Sequence, residues 1–587
     1  MAELKRRRVF RVASVYGATA FVALQAADLV FPRLGLPEWT VTLVVALALV
    51  GFPLALVVAW TFDSTPEGLR RTARADPAQI AAIVAQPRAR RWPAGLAALL
   101  GFVLLIAGAA WALGYRGGKG GSERYDSIAV LPFVNMSGDS ASEYFGDGMA
   151  EELLNALSGI KNLKVAARTS AFAFKDAKLD VRRIGDTLDV VTVLEGSVRR
   201  SADRIRVTAQ LIDTRTGYHI WSETYDRPLT DLFAVQDEIS QEIVSALSLK
   251  LANAEESLYR GGTKDVQAYD KYLLGRQKWR TRRVPELREA VTLFEQAIAR
   301  DSSFALGWSG LADAIDALAW RSAPDRVLVP RAKDAAQRAL ILDPELAEAW
   351  ASVGVLALDF DRDFRISEVA LRRAIALKPS YASALNWLGD VLRYSGRPEE
   401  SLEVLSRAVE LDPLSAVAVS ALAQTYMNLG RWSEARPRAD KVMTLAADDP
   451  GILMHVLSGG PQLGYGVAEL ERFAVAWARL REFPQPERAR VIGAAIANPN
   501  QRPAARALLD EFDVREVNGR DVAKIRMAIG DRAGALASVE RAAASQDPTL
   551  VIIAADWAFD SVRSNPRFQQ VLKVIGVPDA RQPRAGN

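Results

Sequence analysis

The chain contains no cysteine and, among its 587 residues, only two histidines, His219 and His455. Disulfides, zinc–thiolate sites and thiol nucleophiles are therefore excluded. Histidine-dependent zinc or serine hydrolase chemistry has almost nothing to be built from. A phosphate cradle is missing too, although "IAVLPFVNMSGDSASEYFGDGMAEELLNAL", residues 128–157, has the outline of one. Its Gly138, Gly146 and Gly148 form neither GxGxxG nor a P-loop, and the stretch holds no lysine. Instead Asp139, Glu143, Asp147, Glu151 and Glu152 crowd the helix entry. Such carboxylates complement the helix dipole and repel a phosphate. Their spacing fits no calcium loop. Paired carboxylates such as Glu143 and Asp147, one helical turn apart, could serve an enzyme acting on envelope polymers as acid and base, and that spacing is commonplace on helices.

A basic binding face is also lacking. The chain carries 74 Lys and Arg against 70 Asp and Glu. Residues 1–121 hold 14 of the former and 6 of the latter, a balance of +8, which leaves 60 against 64, or −4, for everything after. A nucleic-acid reader needs its positive charge on the folded domain, so none is expected. No cofactor, metal site or catalytic residue is expected either.

What the sequence has in excess is hydrophobic runs near its start. Two uncharged stretches, 39–62 and 92–115, each have 24 residues, where about 20 cross the hydrocarbon core. Trp39, Trp60, Trp92, Trp111 and Tyr115 sit near their ends, where interfacial aromatics belong. A third run, about 12–31, is interrupted by Gln25 and Asp28 and follows Lys5, Arg6, Arg7, Arg8 and Arg11. It reads as an uncleaved anchor, with a signal peptide as the competing reading. Arg70, Arg71, Arg74, Arg88, Arg90 and Arg91 place the loop 63–91 on the cytoplasmic side by charge asymmetry. The expected topology is an inner-membrane protein with three spans, a cytoplasmic N-terminus and periplasmic C-terminal domains.

After a Gly-rich linker, 116–125, the pattern alternates between strands and helices. "SIAVLPF", "LKVAART", "VVTVLEGSVRRS", "RIRVTAQLIDTRTG" and "YHIWSETYDR" read as strands. "SEYFGDGMAEELLNALSGI", "DVRRIGDTL" and "DLFAVQDEISQEIVSAL" read as helices. Ile205, Val207, Ala209 and Leu211 alternate with Arg204, Arg206, Thr208 and Gln210, the period of a sheet covered on one side. The expectation is a small α/β domain over 126–250. The quoted strands and closing helix resemble the TolB amino-terminal-like (FlgO-like) domain of bacterial membrane proteins. The resemblance implies a non-catalytic envelope module placed ahead of tetratricopeptide repeats. Some members of that family are joined to an adenylate cyclase or a winged-helix domain, and this chain shows neither pattern.

Beyond a linker at 251–265, prolines recur at 344, 379 and 413, at intervals of 35 and 34 residues. That is the tetratricopeptide period. Leu385, Leu388, Gly389 and Leu392 fall in the first helix of one repeat, and Ser401, Leu405 and Ala408 in its second. The repeats are expected over 266–450, degenerate helical repeats and a cap over 451–578, and a disordered tail at 579–587. The fold class is thus multidomain: N-terminal membrane helices, a small α/β domain and an all-α solenoid. The family pattern turns Asp313, Asn386, Asp390, Arg393, Gln424 and Asn428 toward the concave groove, as candidates for holding a protein or peptide partner. Two roles fit this order of parts. One is a membrane-anchored, non-enzymatic adaptor. The other is a transmembrane sensor that passes a periplasmic binding signal to a separate cytoplasmic partner.

Overall fold

The computed structural model describes residues 126–137, 143–247, 262–514 and 519–581 apart from 176, 178 and 202, together with scattered positions at 12–55 and residues 62–65 and 68–71. The chain divides into two compact units, Met1–Arg124 and Tyr125–Asn587. In the first, the described positions between Val12 and Ala55 are helical. Tyr16 donates its hydroxyl to the Ala48 carbonyl at 3.0 Å, and its ring lies 5.7 Å from that of Phe52. Strands β1 (Phe62–Thr65) and β2 (Gly68–Arg71) pair antiparallel, with Phe62 opposite Arg71, at the start of the stretch read from sequence as a loop. Four-residue strands are too short to leave an alternation signal. Among the described residues no helix is long and apolar enough to cross a membrane. The expected span at 92–115 lies wholly outside the described residues, and those at 12–31 and 39–62 lie mostly outside them.

The second unit opens with a sheet of β3 (Ser127–Val130), β4 (Val134–Asn135), β5 (Lys164–Val165), β6 (Thr192–Ser201), β7 (Arg204–Asp213) and β8 (His219–Pro228). The strand order is β5-β3-β6-β7-β8, with β4 also on β6. The β3, β5 and β6 pairings are parallel, and β6-β7-β8 is an antiparallel meander. Helices α1 (Glu143–Ser158) and α4 (Leu232–Ala246) cover one face, burying Leu153, Leu157, Val235 and Ile239 against Ile128, Leu194, Val207 and Ala209. Ile205, Val207, Ala209 and Leu211 are all buried there, while Arg204 and Arg206 are exposed. The opposite face is only partly bare, because α3 (Val181–Leu188) packs Ile184 and Leu188 on Ala129 and Val193. "LKVAART" keeps only two residues in the sheet, and α2 (Arg168–Phe172) begins after two further residues, Ala166 and Ala167. The cause is tertiary: the Ala167 N–H donates to the Leu411 carbonyl at 2.7 Å, so the chain leaves the sheet to join the repeats.

Five helical hairpins follow: α5 (Val266–Arg280) with α6 (Val284–Arg300), α7 (Ala305–Arg321) with α8 (Val329–Leu342), α9 (Ala347–Leu356) with α10 (Phe364–Leu377), α11 (Ala382–Tyr394) with α12 (Pro398–Leu411), and α13 (Ala416–Asn428) with α14 (Trp432–Leu445). Several starts are marked by side-chain caps: Asp265, Asp363 and Ser415 each accept a backbone N–H from the first turn. In two hairpins the first and second helices are joined at left-handed glycines, Gly396 (φ 79°) and Gly430 (φ 69°), a conformation that glycine adopts without a Cβ clash. The packing is close. A Cβ on Gly389 would come within 2.5 Å of the Leu405 side chain, which is fully buried. The array continues as α15 (Pro450–Ser458), α16 (Val467–Leu480), α17 (Arg490–Ala497), α18 (Arg502–Val514), α19 (Gly519–Ala528), α20 (Arg532–Ala544), 3-10 turns at 548–554 and 557–562, and α21 (Pro566–Ile575).

Two closures turn this array into one body. The α/β domain docks on successive repeat turns: Ser170 gives its N–H (3.0 Å) and hydroxyl (2.6 Å) to Asp412, and Ser380 gives its hydroxyl to the Leu163 carbonyl at 3.0 Å. At the other end the terminal segment folds back on the middle repeats. Leu550, Ile553, Phe559 and Phe568 share a core with Leu371, Leu388, Val391 and Tyr394. The tail expected from 579 onward is held at its start. Asp579 accepts from Arg563 at 2.6 Å and Arg581 donates to the Asn428 carbonyl at 2.6 Å, while residues 582–587 lie outside the described set. Ion pairing with the preceding turn fixes what composition alone marks as loose. Because Leu405 has nowhere to move, Gly389→Ala should lower stability by about 1–3 kcal/mol, read as a shift in the urea midpoint at unchanged slope.

Candidate partner-binding groove

First helices α7, α11 and α13 carry the groove positions picked from the repeat pattern. Asp390 pairs with Arg393 at 2.5 Å, and Arg393 reaches Gln424 at 3.2 Å and the Tyr394 hydroxyl at 3.1 Å. Gln424 in turn donates to Ser420 at 3.1 Å. Asn428 meets the chain's own end: its Oδ1 accepts the Trp557 N–H at 3.2 Å. Asp390, Arg393 and Gln424 therefore form a run of contacts across α11 and α13, and the terminal segment meets Asn428, one turn further along α13. Asn386 is buried on the same helix face as Asp390, one turn away, and its Oδ1 has no hydrogen-bond partner. Asp313 stands apart, on α7. It accepts from Ser352 at 2.6 Å and lies 3.6 Å from Arg276.

Around Asp313 lies a second charged cluster that the repeat pattern does not reveal. Glu151, on α1, is almost fully buried and takes three arginines. Arg168 and Arg276 each bond it at 3.0 Å, and Arg280 also pairs with it. The α1 carboxylates Glu143 and Asp147 are both engaged by Lys175, at 2.5 and 2.9 Å. One ammonium thus bridges the two carboxylates and ties α1 to the turn after α2. Next to Glu151, the carboxyl of Glu152 is pushed up to about 7, first by burial and then by Glu348. Glu348 itself is neutralised by Lys378. The one sequence cue to this cluster is the basic run "RQKWRTRR", residues 276–283, two of whose arginines find Glu151 in another domain.

A third cluster anchors the terminal segment. Lys524, 2% exposed, donates to Asp556 at 2.6 Å and to His455 Nδ1 at 2.8 Å. Burial, then the Lys524 charge, holds His455 well below the ordinary histidine range, so it is a neutral acceptor. Trp557, the next residue after Asp556, sets its ring edge-on to Trp432 at 4.9 Å. Elsewhere, a cleft of about 1030 Å3 separates the N-terminal ends of β3 and β5 from the repeat turns near Pro379 and Leu411. Its wall mixes charges of both signs, and Lys164 and Asp189 already pair at 2.6 Å. Among the described residues no group of three or more His, Asp and Glu is placed to hold a metal ion.

A family model described as tetratricopeptide repeat matches residues 392–454. The C-terminal region is a tetratricopeptide solenoid. Similar solved structures include YrrB, described as a tetratricopeptide protein with an unusual peptide-binding site (18% identical, TM-score 0.24, covering 36% of this chain and 96% of that one). A tetratricopeptide protein of Thermus thermophilus, TTC0263, is 20% identical, with a TM-score of 0.28 over 33% of this chain and 99% of its own. A curated protein of Rhizobium meliloti (strain 1021) named putative adenylate cyclase 3 is 52% identical over 152 residues, 26% of this chain and 26% of its own length. This chain thus spans about a quarter of the curated relative it matches.

The two buried clusters make separate predictions. Glu152 is 4% exposed, and its carboxyl is raised from 4.5 to about 7, so the folded state holds this proton more tightly than the unfolded one. Its contribution is present below about 4.5 and is lost as pH rises toward 7. Glu152→Gln should remove that loss, leaving the variant more stable than the unsubstituted chain at pH 8 by up to about 3 kcal/mol and nearly equal at pH 4.5, as measured by urea unfolding at both values. Lys524→Ala strands a buried carboxylate at Asp556 and should cost about 3–5 kcal/mol; Lys524→Ala with Asp556→Ala should recover part of it.

Proposed function

We propose that the protein is a membrane-anchored, non-enzymatic scaffold of the bacterial envelope that recruits protein partners through its tetratricopeptide groove. The observation that carries the reading is the groove itself: stacked first helices with polar side chains on one face, met by the terminal segment at Asn428 and lined by a charged cluster around Asp313. Stacked helical hairpins present such concave surfaces because each unit contacts only its neighbours. The non-enzymatic part is supported by how the charged side chains are used. Glu143 and Asp147 are both locked by Lys175, and Lys524, His455 and Asp556 are sealed in packing.

The anchor rests on the sequence, on two uncharged 24-residue runs and on the asymmetry of arginine around them. The lipid bilayer is thus a second partner, through three spans, with the N-terminus cytoplasmic and the second unit in the periplasm. A signalling reading draws on one specific observation, the shared 152 residues with a relative named for a cyclase. Under that reading the same anchor passes a binding event to a separate cytoplasmic partner.

Photo-crosslinking from Asp313 in the full chain in cells, followed by pull-down, should yield a discrete protein adduct that a matched solvent-face position does not. An identical adduct pattern at both positions would remove the scaffold reading. Alkaline phosphatase fused to the C-terminus should be active if the second unit is periplasmic, and inactivity would reverse the topology.

A further inference from the structure

The turn between the two helices of a hairpin uses a left-handed residue immediately before the cap of the second helix. Gly396, Gly430 and Gly530 occupy it at φ 79°, 69° and 78°. In two hairpins an arginine takes that place, Arg282 at φ 56° and Arg362 at φ 55°. A residue with a Cβ in this region costs about 1–2 kcal/mol where glycine costs nothing, so something must hold each arginine there. For Arg362 the structure gives the reason. Its guanidinium donates at 3.0 Å to the carbonyl of Ile575, the last residue of α21, in the terminal segment that packs on the middle repeats. Arg326 does the same nearby, reaching the Gln546 carbonyl at 2.9 Å. The filled end of the groove thus shows how arginines of the repeats capture a segment of chain.

Arg282 has the same turn and no such occupant. Its guanidinium lies over Trp279, 3.7 Å from the ring centroid. Trp279 also carries the Arg276 guanidinium at 4.4 Å and is fixed by an indole bond to the Asp313 carbonyl at 3.0 Å. Among the described residues Arg282 has no hydrogen bond or ion pair through its side chain, although it is only partly exposed and burial pulls it down to about 10. The charge balance points the same way. Around Arg282 itself stand two like charges, Arg276 and Arg321, and two carboxylates, Asp313 and Asp316, three cations against two carboxylates. Burial and repulsion by Asp313 hold Asp316 toward its neutral form, which widens the cationic excess.

We infer that the charged end of the groove, at the turn between α5 and α6, is the anchor point for an acidic segment of a partner protein, with the partly exposed Arg282 as its principal contact. An aspartate or glutamate carboxylate over Trp279 would complete the pairing that Arg282 lacks, in the bidentate geometry that arginine favours. The segment would enter the groove as the terminal segment does at the opposite end, by main-chain and side-chain contacts to inward positions. This assignment rests on the scaffold reading and names the chemistry of its partner.

The strained turn supplies a clean test. Arg282→Gly relieves the left-handed cost while removing the guanidinium, so a loss of binding cannot be put down to misfolding. Purified full chain should bind a capped hexaglutamate peptide by isothermal titration, and R282G should bind it about tenfold or more weakly at an unchanged or higher melting temperature. R282K, which keeps a charge, should fall between the two. Equal affinity in R282G, equal or tighter binding of hexalysine, or binding of inorganic phosphate without the peptide would each overturn the site. Crosslinking separates this site from the wider reading. A partner captured equally by R282G sinks the site and keeps the scaffold, whereas lost peptide binding with no partner captured does the reverse.

Discussion

A helical hairpin of thirty-odd residues cannot bury its own apolar face, and every other feature of the second unit follows from that constraint. Each hairpin needs a neighbour, so the array must either end in capping units or be covered. Here it is covered twice. The α/β domain lays α1 on the first hairpin and bonds through Ser170 and Leu163 to the turns at Asp412 and Ser380, on either side of the fourth. The terminal segment brings Leu550, Ile553, Phe559 and Phe568 onto the middle ones. Both closures bring polar groups in with the apolar ones, and buried charge must then be paired in place. That is why Glu151 has three arginines and Lys524 has both Asp556 and His455.

How much of this is legible in the sequence depends on whether the signal is local. The repeats are legible, because Pro344, Pro379 and Pro413 stop helices at a constant interval and residues such as Gly389 and Leu405 meet inside a unit. The meander β6-β7-β8 is legible from its alternation, since one face of β7 is buried and the other is not. The short elements are not. "LKVAART" has the composition of a strand, but Ala167 is drawn to Leu411, more than two hundred residues away, and no local pattern encodes that. The same holds for residues 579–581, which composition marks as a tail and ion pairs tie down.

The candidate site divides along the same line. Asp390, Arg393, Gln424 and Asn428 can be picked because the repeat period fixes which side of a first helix faces inward. What faces them cannot be picked, because the occupant at Asn428 is Trp557, a residue from the far end of the chain. The Glu151 cluster is invisible for a related reason. Two of its arginines stand in one basic run, which alone reads as a solvated helix face, and only the docking of α1 converts that run into a buried site.

The groove is therefore two sites of different character made from one repeated surface. At α11 and α13 the inward polar residues are consumed by the chain itself, and the apolar residues packed beside them make that occupancy permanent, since exposing several large buried side chains would cost about 1.5–3 kcal/mol each. A partner cannot compete there without unfolding the end of the protein. At α5 and α7 the charged residues are largely paired in place, Glu151 with three arginines and Asp313 with Ser352 and Arg276, and under the proposed binding an incoming carboxylate would meet Arg282, partly exposed over Trp279. Hydrophobic burial closes one end, whereas a partner held through Arg282, as proposed, would be recognised by electrostatics, the kind of recognition that sets partner choice and encounter rate more than permanence.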